Sequence, residues 1–249
     1  MRYDPIDNQL FVLNRQRFAA LLKPNALAVF NANDMMPTNA DGTMSFRQNN
    51  DLFYLTGVDQ EETMLVLCPN HPDETLREVL FLRETSEEIA IWEGHKLTKE
   101  EAVATTGLPL KSIYWTSQFD KIFGQMVFEA ECVYLNTNEH TRAEVAVQTR
   151  DARFIDWFRA HFPLHSLERA APLMHQLRAI KMPQEIALIN HAINITDKMF
   201  RRLLGFVKPG VWEYEIEAEM MHEFLRNRSR SVGVINGQAP ELPVSQSRR

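Results

Sequence analysis

The sequence has 249 residues, of which 45% are hydrophobic and 24% charged. These proportions exclude a disordered or fibrous chain, and the length suffices for one large domain or two modest ones. Lysine and arginine number 27 against 33 aspartate and glutamate residues, for a net charge of -6. This balance gives no general electrostatic attraction to nucleic acid or anionic lipid, so we expect neither nucleic acid nor a membrane as a partner.

The two cysteines, Cys68 and Cys132, each lie in an apolar stretch, which is typical of reduced, buried thiols. No apolar run approaches the roughly 20 residues needed to cross a bilayer. The first residues, MRYDPIDNQL, lack the basic-then-apolar layout of a signal peptide. The expectation is therefore a cytoplasmic protein without a disulfide.

The first 183 residues predict helices alternating with strands. Apolar residues spaced three and four apart predict a helix over 7–22, which Pro24 ends. Further helices are predicted over 99–106, 117–129 and 142–162. Short runs rich in β-branched and aromatic residues, bounded by polar turns, predict strands at 26–30, 64–68, 78–82, 89–92, 112–115 and 132–135.

The order of these elements favours an α/β fold in which helices cover one sheet. The segment between the strands predicted at 64–68 and 78–82 is polar, contains proline and is short. Because a parallel connection needs a longer crossover, these two strands should be antiparallel. The sheet is therefore expected to be mixed.

Residues 184–228 predict two amphipathic helices. Pro183 stands where a helix can begin without losing a hydrogen-bond donor, and apolar residues then recur at helical spacing until a break at 207–213. The second helix carries apolar residues from Tyr214 to Leu225. Residues 229–249 have almost no periodicity, which predicts a poorly ordered tail.

No self-contained catalytic motif is present: the sequence has no glycine-rich phosphate loop, His-Glu-x-x-His, Cys-x-x-Cys or Gly-x-Ser-x-Gly. His222 and Glu223 look like half of a zinc-binding helix, but Arg226 and Asn227 stand where a second ligand would be needed. The arginines near residue 228 form a short cluster without interleaved aromatic residues, so they do not indicate nucleic-acid binding. We assign no catalytic residue and no metal ligand.

Four segments together carry a family resemblance: residues 46–57 (FRQNNDLFYLTG), 91–102 (IWEGHKLTKEEA), 173–196 and 208–230. In this order they resemble segments of the aminopeptidase P (Xaa-Pro aminopeptidase) family. The first is similar to the signature of the family's amino-terminal domain, and the second to the Trp-x-Gly-x-x-Leu segment of that domain. Residues 173–196 resemble the linker that contains Leu-Arg-x-x-Lys-x-Pro-x-Glu-Ile. Residues 208–230 resemble the following Pro-Gly and glutamate-rich helix.

The resemblance implies three regions. Residues 1–178 would form the creatinase/aminopeptidase P amino-terminal domain, with a mixed sheet flanked by helices. Residues 179–230 would form the first helices of an incomplete pita-bread metallopeptidase domain. Residues 231–249 match no family segment and would be disordered.

The resemblance also implies an activity, which is hydrolysis of the bond between an N-terminal residue and proline. Proline-containing peptides would be the substrates, and the protein would be a homo-oligomer. Two alternatives stay open: a prolidase, which shares the two-domain plan, and a non-catalytic module for oligomerisation or peptide binding.

Two residues are candidates for substrate binding. Local chemistry gives residues 46–57 a structural role, because Asn and Asp side chains can cap the turn that begins at 52–55 while aromatic residues supply buried area. Local chemistry likewise favours a core position for Trp92 over an outward one. The resemblance instead implies that Asp51 and Trp92 lie near a substrate-binding cleft, with Trp92 reaching it from a neighbouring subunit.

The family's chemistry uses two divalent ions, usually Mn²⁺, and oxygen-rich ligation suits such hard ions. The resemblance implies that all ligands lie beyond the segment matching 220–230, where this sequence continues instead with unmatched residues. We therefore expect a truncated chain, inactive alone, whose gene carries family-like sequence in another reading frame. Ile186, Ile193 and Phe224 would then expose an apolar face.

Overall fold

The computed structural model describes residues 5–140 and 146–229. The chain divides into two compact units, one formed by Ile6–Ile180 and the other containing the chain from Lys181 onward. Each unit is described by itself.

Helices and strands alternate along the first unit, as the sequence predicts. The strands are β1 (Ala26–Asn31), β2 (Met64–Leu67), β3 (Glu78–Leu82), β4 (Ile113–Trp115), β5 (Cys132–Leu135) and β6 (Ser166–Arg169). The helices are α1 (Gln9–Ala19), α2 (Asn50–Thr56), α3 (Glu87–Glu93), α4 (Lys99–Thr106), α5 (Phe119–Val127), α6 (Arg150–His161) and α7 (Ala171–Ala179).

The strands within the described residues form one sheet in the order β4-β3-β2-β1-β5-β6. The pairs β1–β2 and β2–β3 are antiparallel, while β3–β4, β1–β5 and β5–β6 are parallel. The prediction of a mixed sheet is confirmed, and so is the antiparallel pairing of the strands predicted at 64–68 and 78–82.

Helices cover both faces of the sheet because alternate residues of each strand point to opposite sides. On β1, Ala28 and Phe30 belong to one apolar cluster, whereas Leu27 and Val29 belong to the other. The first cluster includes residues of α1, α2, α4 and α7, and the second includes residues of α5 and α6. This three-layer arrangement is the predicted α/β fold.

The prediction of a strand at 89–92 is wrong, since these residues lie in helix α3. Ser86 Oγ accepts the backbone N–H of Ile89 at 3.2 Å, and Glu87 and Glu88 occupy the first turn, where negative side chains are favourable. Trp92 is 83% exposed, so its predicted core position is also wrong. Four apolar residues carry too little periodicity to separate a strand from one turn of helix.

One further helix begins later than the sequence predicts, and three elements are not predicted at all. Helix α6 begins at Arg150, after Thr149 Oγ1 accepts the N–H of Ala152, and residues 146–149 precede it. The prediction of a helix over 142–162 is therefore wrong at its start, and its positions 142–145 lie outside the described residues. Strand β6 and helices α2 and α7 had no counterpart in the predicted elements, because each is short or weakly periodic.

The second unit contains α8 (Pro183–Phe206) and α9 (Glu213–Arg226). Pro183 occupies the first turn of α8, as predicted. The two helices are joined by an ion pair between Arg202 and Glu219 and by a hydrogen bond from Lys198 Nζ to Asn227 Oδ1 at 3.0 Å. Exposed apolar side chains on α8 include Ile186, Leu188, Ile189, Ile193, Phe200 and Leu204. Phe224 is half-buried, and residues 231–249 lie outside the described residues.

Candidate functional site

The segment 46–57 folds into a capped helix beside the end of β1. Asn49 Oδ1 accepts the backbone N–H groups of Asp51 at 2.9 Å and of Leu52 at 3.2 Å, which is N-cap geometry. Gln48 is buried, and its Nε2 donates to the carbonyls of Val58 and Gln60. The expectation that an Asn in this segment caps the turn is confirmed for Asn49.

Asp51 accepts hydrogen bonds from two distant segments. Arg178 Nη1, on α7, lies 2.6 Å from Asp51 Oδ1, and Asn136 Nδ2, just after β5, lies 3.1 Å from Asp51 Oδ2. The Asp51 side chain is only 17% exposed. One carboxylate therefore joins α2, α7 and the end of β5, and its first role in this fold is to hold these three elements together.

A pocket of about 650 Å³ opens at this position. Strands β1 and β5 are parallel neighbours, so their carboxyl ends meet at one edge of the sheet. The chain leaves β1 toward α2, on one face, and leaves β5 toward α6, on the other. Such a switch in direction opens a crevice in α/β folds. We call this pocket the β1/β5 pocket. The charged residues that line it are Asp34, Arg47, Asp51, Glu139, Arg150, Asp151 and Arg178.

Asp151 lies in the first turn of α6 and lines the β1/β5 pocket. Its Oδ1 accepts a hydrogen bond from Asn31 Nδ2 at 2.9 Å. Burial raises the pKa of Asp151 to about 6, the hydrogen bond from Asn31 opposes this, and the negative charge of Asp51 adds to it. The carboxyl is thus poised to change charge near neutral pH.

Arg150 is the adjacent cation. It is half-buried, and burial is the main reason that its pKa is lowered from the usual value. Within residues 5–140 and 146–229, its guanidinium makes no hydrogen bond or ion pair. The next arginine of α6, Arg153, does pair with Asp34, at 2.5 Å. Among the described residues, the carboxylates of Glu62, Asp34 and Asp151 act on this partly desolvated charge without forming an ion pair with it.

Trp92 lies outside the lining of the β1/β5 pocket. It projects from α3, whose last residue, Glu93, forms a bidentate ion pair with Arg83 at 2.6 and 2.8 Å. Arg83 also lies 3.3 Å from the buried Glu61, which pairs in turn with Lys96. The indole is exposed, but the helix that carries it is tied to the core by charge pairs. The structure does not bring Asp51 and Trp92 together in this pocket.

Sequence reasoning missed most of this pocket. Asn136, Arg150 and Asp151 lie outside the four family-like segments, and Arg178 lies in the segment 173–196, where the sequence assigned it no role. Predicting the correct start of α6 would have placed Arg150 and Asp151 at a helix N-terminus rather than in mid-helix. In the part of the chain that the structure describes, no group of three His, Cys, Asp or Glu side chains could hold a metal ion. The described residues therefore do not fit a dinuclear metal centre.

Comparison with known proteins identifies the first unit. Residues 11–134 match a family model described as "Aminopeptidase P, N-terminal domain". These residues belong to that domain family, which agrees with the resemblance seen in the sequence.

The relatives and the solved structures agree. The chain is 28% identical to the Xaa-Pro aminopeptidase of Escherichia coli over 239 residues, covering 90% of this chain and 51% of that protein. It is 26% identical to the Xaa-Pro aminopeptidase of Haemophilus influenzae, with 88% and 48% covered. The structure of E. coli aminopeptidase P in its low-pH form matches with a TM-score of 0.70 and 29% identity, covering 90% of this chain and 50% of that one.

The chain spans about half the length of the curated relatives it matches. One similar structure is described as zinc-substituted E. coli aminopeptidase P in complex with product. Among the described residues, no helix is both long and apolar enough to cross a membrane.

Proposed function

We propose that this chain forms the N-terminal part of an Xaa-Pro aminopeptidase, which removes an N-terminal residue that precedes proline in a peptide. The observation that carries the proposal is the 28% identity to the E. coli enzyme over 90% of this chain. The order of elements in the first unit and the match of residues 11–134 support it.

In this proposal the hydrolytic centre is not built from the described residues of this chain. Two divalent ions, Mn²⁺ in the family that the sequence resembles, would supply an activated water and polarise the scissile carbonyl. The described residues provide no suitable group of ligands, so we assign them no hydrolytic step. The chain by itself is proposed to be inactive and cytoplasmic.

The proposed contribution of this chain is to binding and assembly. Trp92 is 83% exposed and Ile91 beside it 78%, yet the helix that presents them is anchored through Glu93 and Arg83. A large aromatic side chain held outward in this way suits a contact with another subunit. We propose that Trp92 contributes to the peptide site of a partner subunit in a homo-oligomer, and that Asp51 lies near a peptide-binding cleft.

Comparing the hydrolysis of two substrates distinguishes an Xaa-Pro aminopeptidase from a prolidase. The protein tested would continue after residue 230 with the family-like sequence expected in another reading frame of its gene, and it would be loaded with Mn²⁺. Hydrolysis of an Xaa-Pro-Yaa tripeptide with little hydrolysis of an Xaa-Pro dipeptide supports the aminopeptidase. The reverse preference would assign the prolidase.

The second candidate function is a non-catalytic peptide-binding or oligomerisation module. The observation that favours it is the β1/β5 pocket, all of whose lining residues belong to the unit Ile6–Ile180. Saturable binding of a peptide to the 249-residue chain, together with no turnover by the extended protein, would favour the module.

A further inference from the structure

Two partly buried charged groups of the β1/β5 pocket, Arg150 and Asp151, form no ion pair at contact distance among the described residues, and nearby charges act on them only at longer range. Asp51 pairs with Arg178, Glu139 with Arg169, and Asp34 with Arg153. Among the described residues, the Asp151 carboxylate accepts a hydrogen bond only from the uncharged Asn31 side chain. The Arg150 guanidinium makes no hydrogen bond or ion pair with them. Unpaired, partly buried charges are costly, so a ligand that pairs with both would be stabilised at this position.

The pocket also contains a buried acceptor without a donor. Asn136 is 4% exposed and donates through Nδ2 to Asp51, while its Oδ1 has no partner among the described residues. A buried polar atom left unpaired costs free energy that a ligand N–H can recover. The need here is for a donor, which an ammonium group supplies.

The charges around the pocket nearly balance. Four carboxylates and three guanidinium groups line it within the described residues, and Arg153 and Arg169 pair with two of these carboxylates. This balance favours a ligand that carries one positive and one negative group over a multiply charged ion such as phosphate. Met36 and Met44, on the loop after β1, give the pocket an apolar side.

We propose that the β1/β5 pocket binds a small zwitterion, such as an α-amino acid or a dipeptide. Its carboxylate pairs with the Arg150 guanidinium, which can donate two parallel hydrogen bonds to one carboxylate. Its ammonium group lies against Asp151 and the free Oδ1 of Asn136, and its side chain contacts Met36 and Met44. The pocket volume of about 650 Å³ accommodates either ligand.

The first test is a set of matched ligands measured by isothermal titration calorimetry on the unaltered 249-residue chain near neutral pH. L-leucine and L-leucyl-glycine are the zwitterions, N-acetyl-L-leucine lacks the positive charge, and L-leucinamide lacks the negative one. At least one zwitterion should bind saturably, and each singly charged analogue should bind about tenfold more weakly than L-leucine. Failure of both zwitterions to bind at about 10 mM, or equal binding of N-acetyl-L-leucine or inorganic phosphate, would overturn the proposal.

The second test assigns the two charges to their residues. Arg150→Gln should weaken L-leucine binding about tenfold, whereas Arg159→Gln, an exposed position on the same helix, should leave it unchanged. Asp151→Asn should weaken L-leucine but not N-acetyl-L-leucine. Circular dichroism checks that each variant folds; if Arg150→Gln does not fold, the ligand comparison on the unaltered chain still decides. Equal affinity of a folded Arg150→Gln variant would contradict the proposal.

These titrations measure ligand binding by the 249-residue chain and do not depend on the proposed peptidase activity. Failure of the proposed zwitterion site can therefore be distinguished from failure of the proposed function.

Discussion

Asp51 and Arg178 form an ion pair, 2.6 Å between Oδ1 and Nη1, although 127 positions separate them in the sequence. The pair joins the first turn of α2 to the last turn of α7, and Asn136 adds a hydrogen bond from the end of β5. The guanidinium also lies 5.8 Å from the Tyr54 ring centroid. Asp51, Asn136 and Arg178 all line the β1/β5 pocket.

Removing one partner of this pair should destabilise the first unit. The burial of this ion pair is intermediate: the Asp51 side chain is 17% exposed and the Arg178 side chain 39%. We expect Asp51→Ala to lower the free energy of unfolding by about 1–3 kcal/mol, because Arg178 and Asn136 both lose an acceptor. Urea denaturation measures this, with Arg159→Gln as a surface control. A change no larger than that of the control would show that the pair contributes nothing.

The pKa of Asp151 predicts how stability depends on pH. Its folded pKa of about 6 exceeds the ordinary value of 3.8 because the charged form is buried. The folded state therefore binds a proton more readily than the unfolded state between these values. Stability contributed by this group should rise as pH falls from about 6 toward about 4.

Asp151→Asn should remove that pH dependence, since Asn keeps an acceptor for Asn31 but does not titrate. Unfolding free energies of both proteins across this pH range measure the difference. The neighbouring Asp51, Asp34 and Arg150 affect the same carboxyl and remain in both proteins. An unchanged pH profile in the variant would refute the raised pKa.

Gly57 ends α2 at a position that only glycine fits. Its φ is 71°, and a Cβ added there would lie 2.3 Å from the Phe11 ring. We expect Gly57→Ala to cost about 2–4 kcal/mol, of which about 1 kcal/mol reflects the left-handed backbone and the remainder the Phe11 ring. Thermal unfolding measures this loss, and a loss of about 1 kcal/mol or less would exclude the steric contribution of Phe11.

The Trp92→Ala substitution should affect peptide binding and turnover but not the stability of the fold. Because the indole is 83% exposed, the substitution should change the free energy of unfolding by less than about 0.5 kcal/mol. In the version extended after residue 230, the same substitution should weaken peptide affinity and lower turnover, while Leu164→Ala, at an exposed position outside α3, serves as the control. Unaltered affinity and turnover in Trp92→Ala would remove Trp92 from the proposed binding surface.

The sequence predicted those parts of the fold whose local pattern is strong. Strand β1 and its neighbours are short apolar runs between polar turns, and α8 combines Pro183 with a long helical period. The four residues 89–92 have β-branched and aromatic side chains but lie in helix α3, because the cap at Ser86 outweighed their weak strand preference. Local patterns decide an element only when they extend over enough residues.

The pocket could not be predicted in the same way. Its charges meet only because the carboxyl ends of β1 and β5 are adjacent and α2 and α6 leave toward opposite faces. Asp51 was singled out by a family resemblance, whereas its partners Arg178 and Asn136 were not. Whether a charged group forms an ion pair at contact distance, which Arg150 and Asp151 do not among the described residues, depends on side-chain geometry that spacing along the chain does not encode.

The central claim is that this chain supplies the N-terminal part of an Xaa-Pro aminopeptidase without its hydrolytic centre. The most direct measurement compares, under the same conditions with Mn²⁺, cleavage of an Xaa-Pro-Yaa peptide by the 249-residue chain and by the version extended after residue 230. We predict no turnover by the chain alone and measurable release of the N-terminal residue by the extended protein. Turnover by the 249-residue chain, or none by a folded and metal-loaded extended protein, would contradict the account.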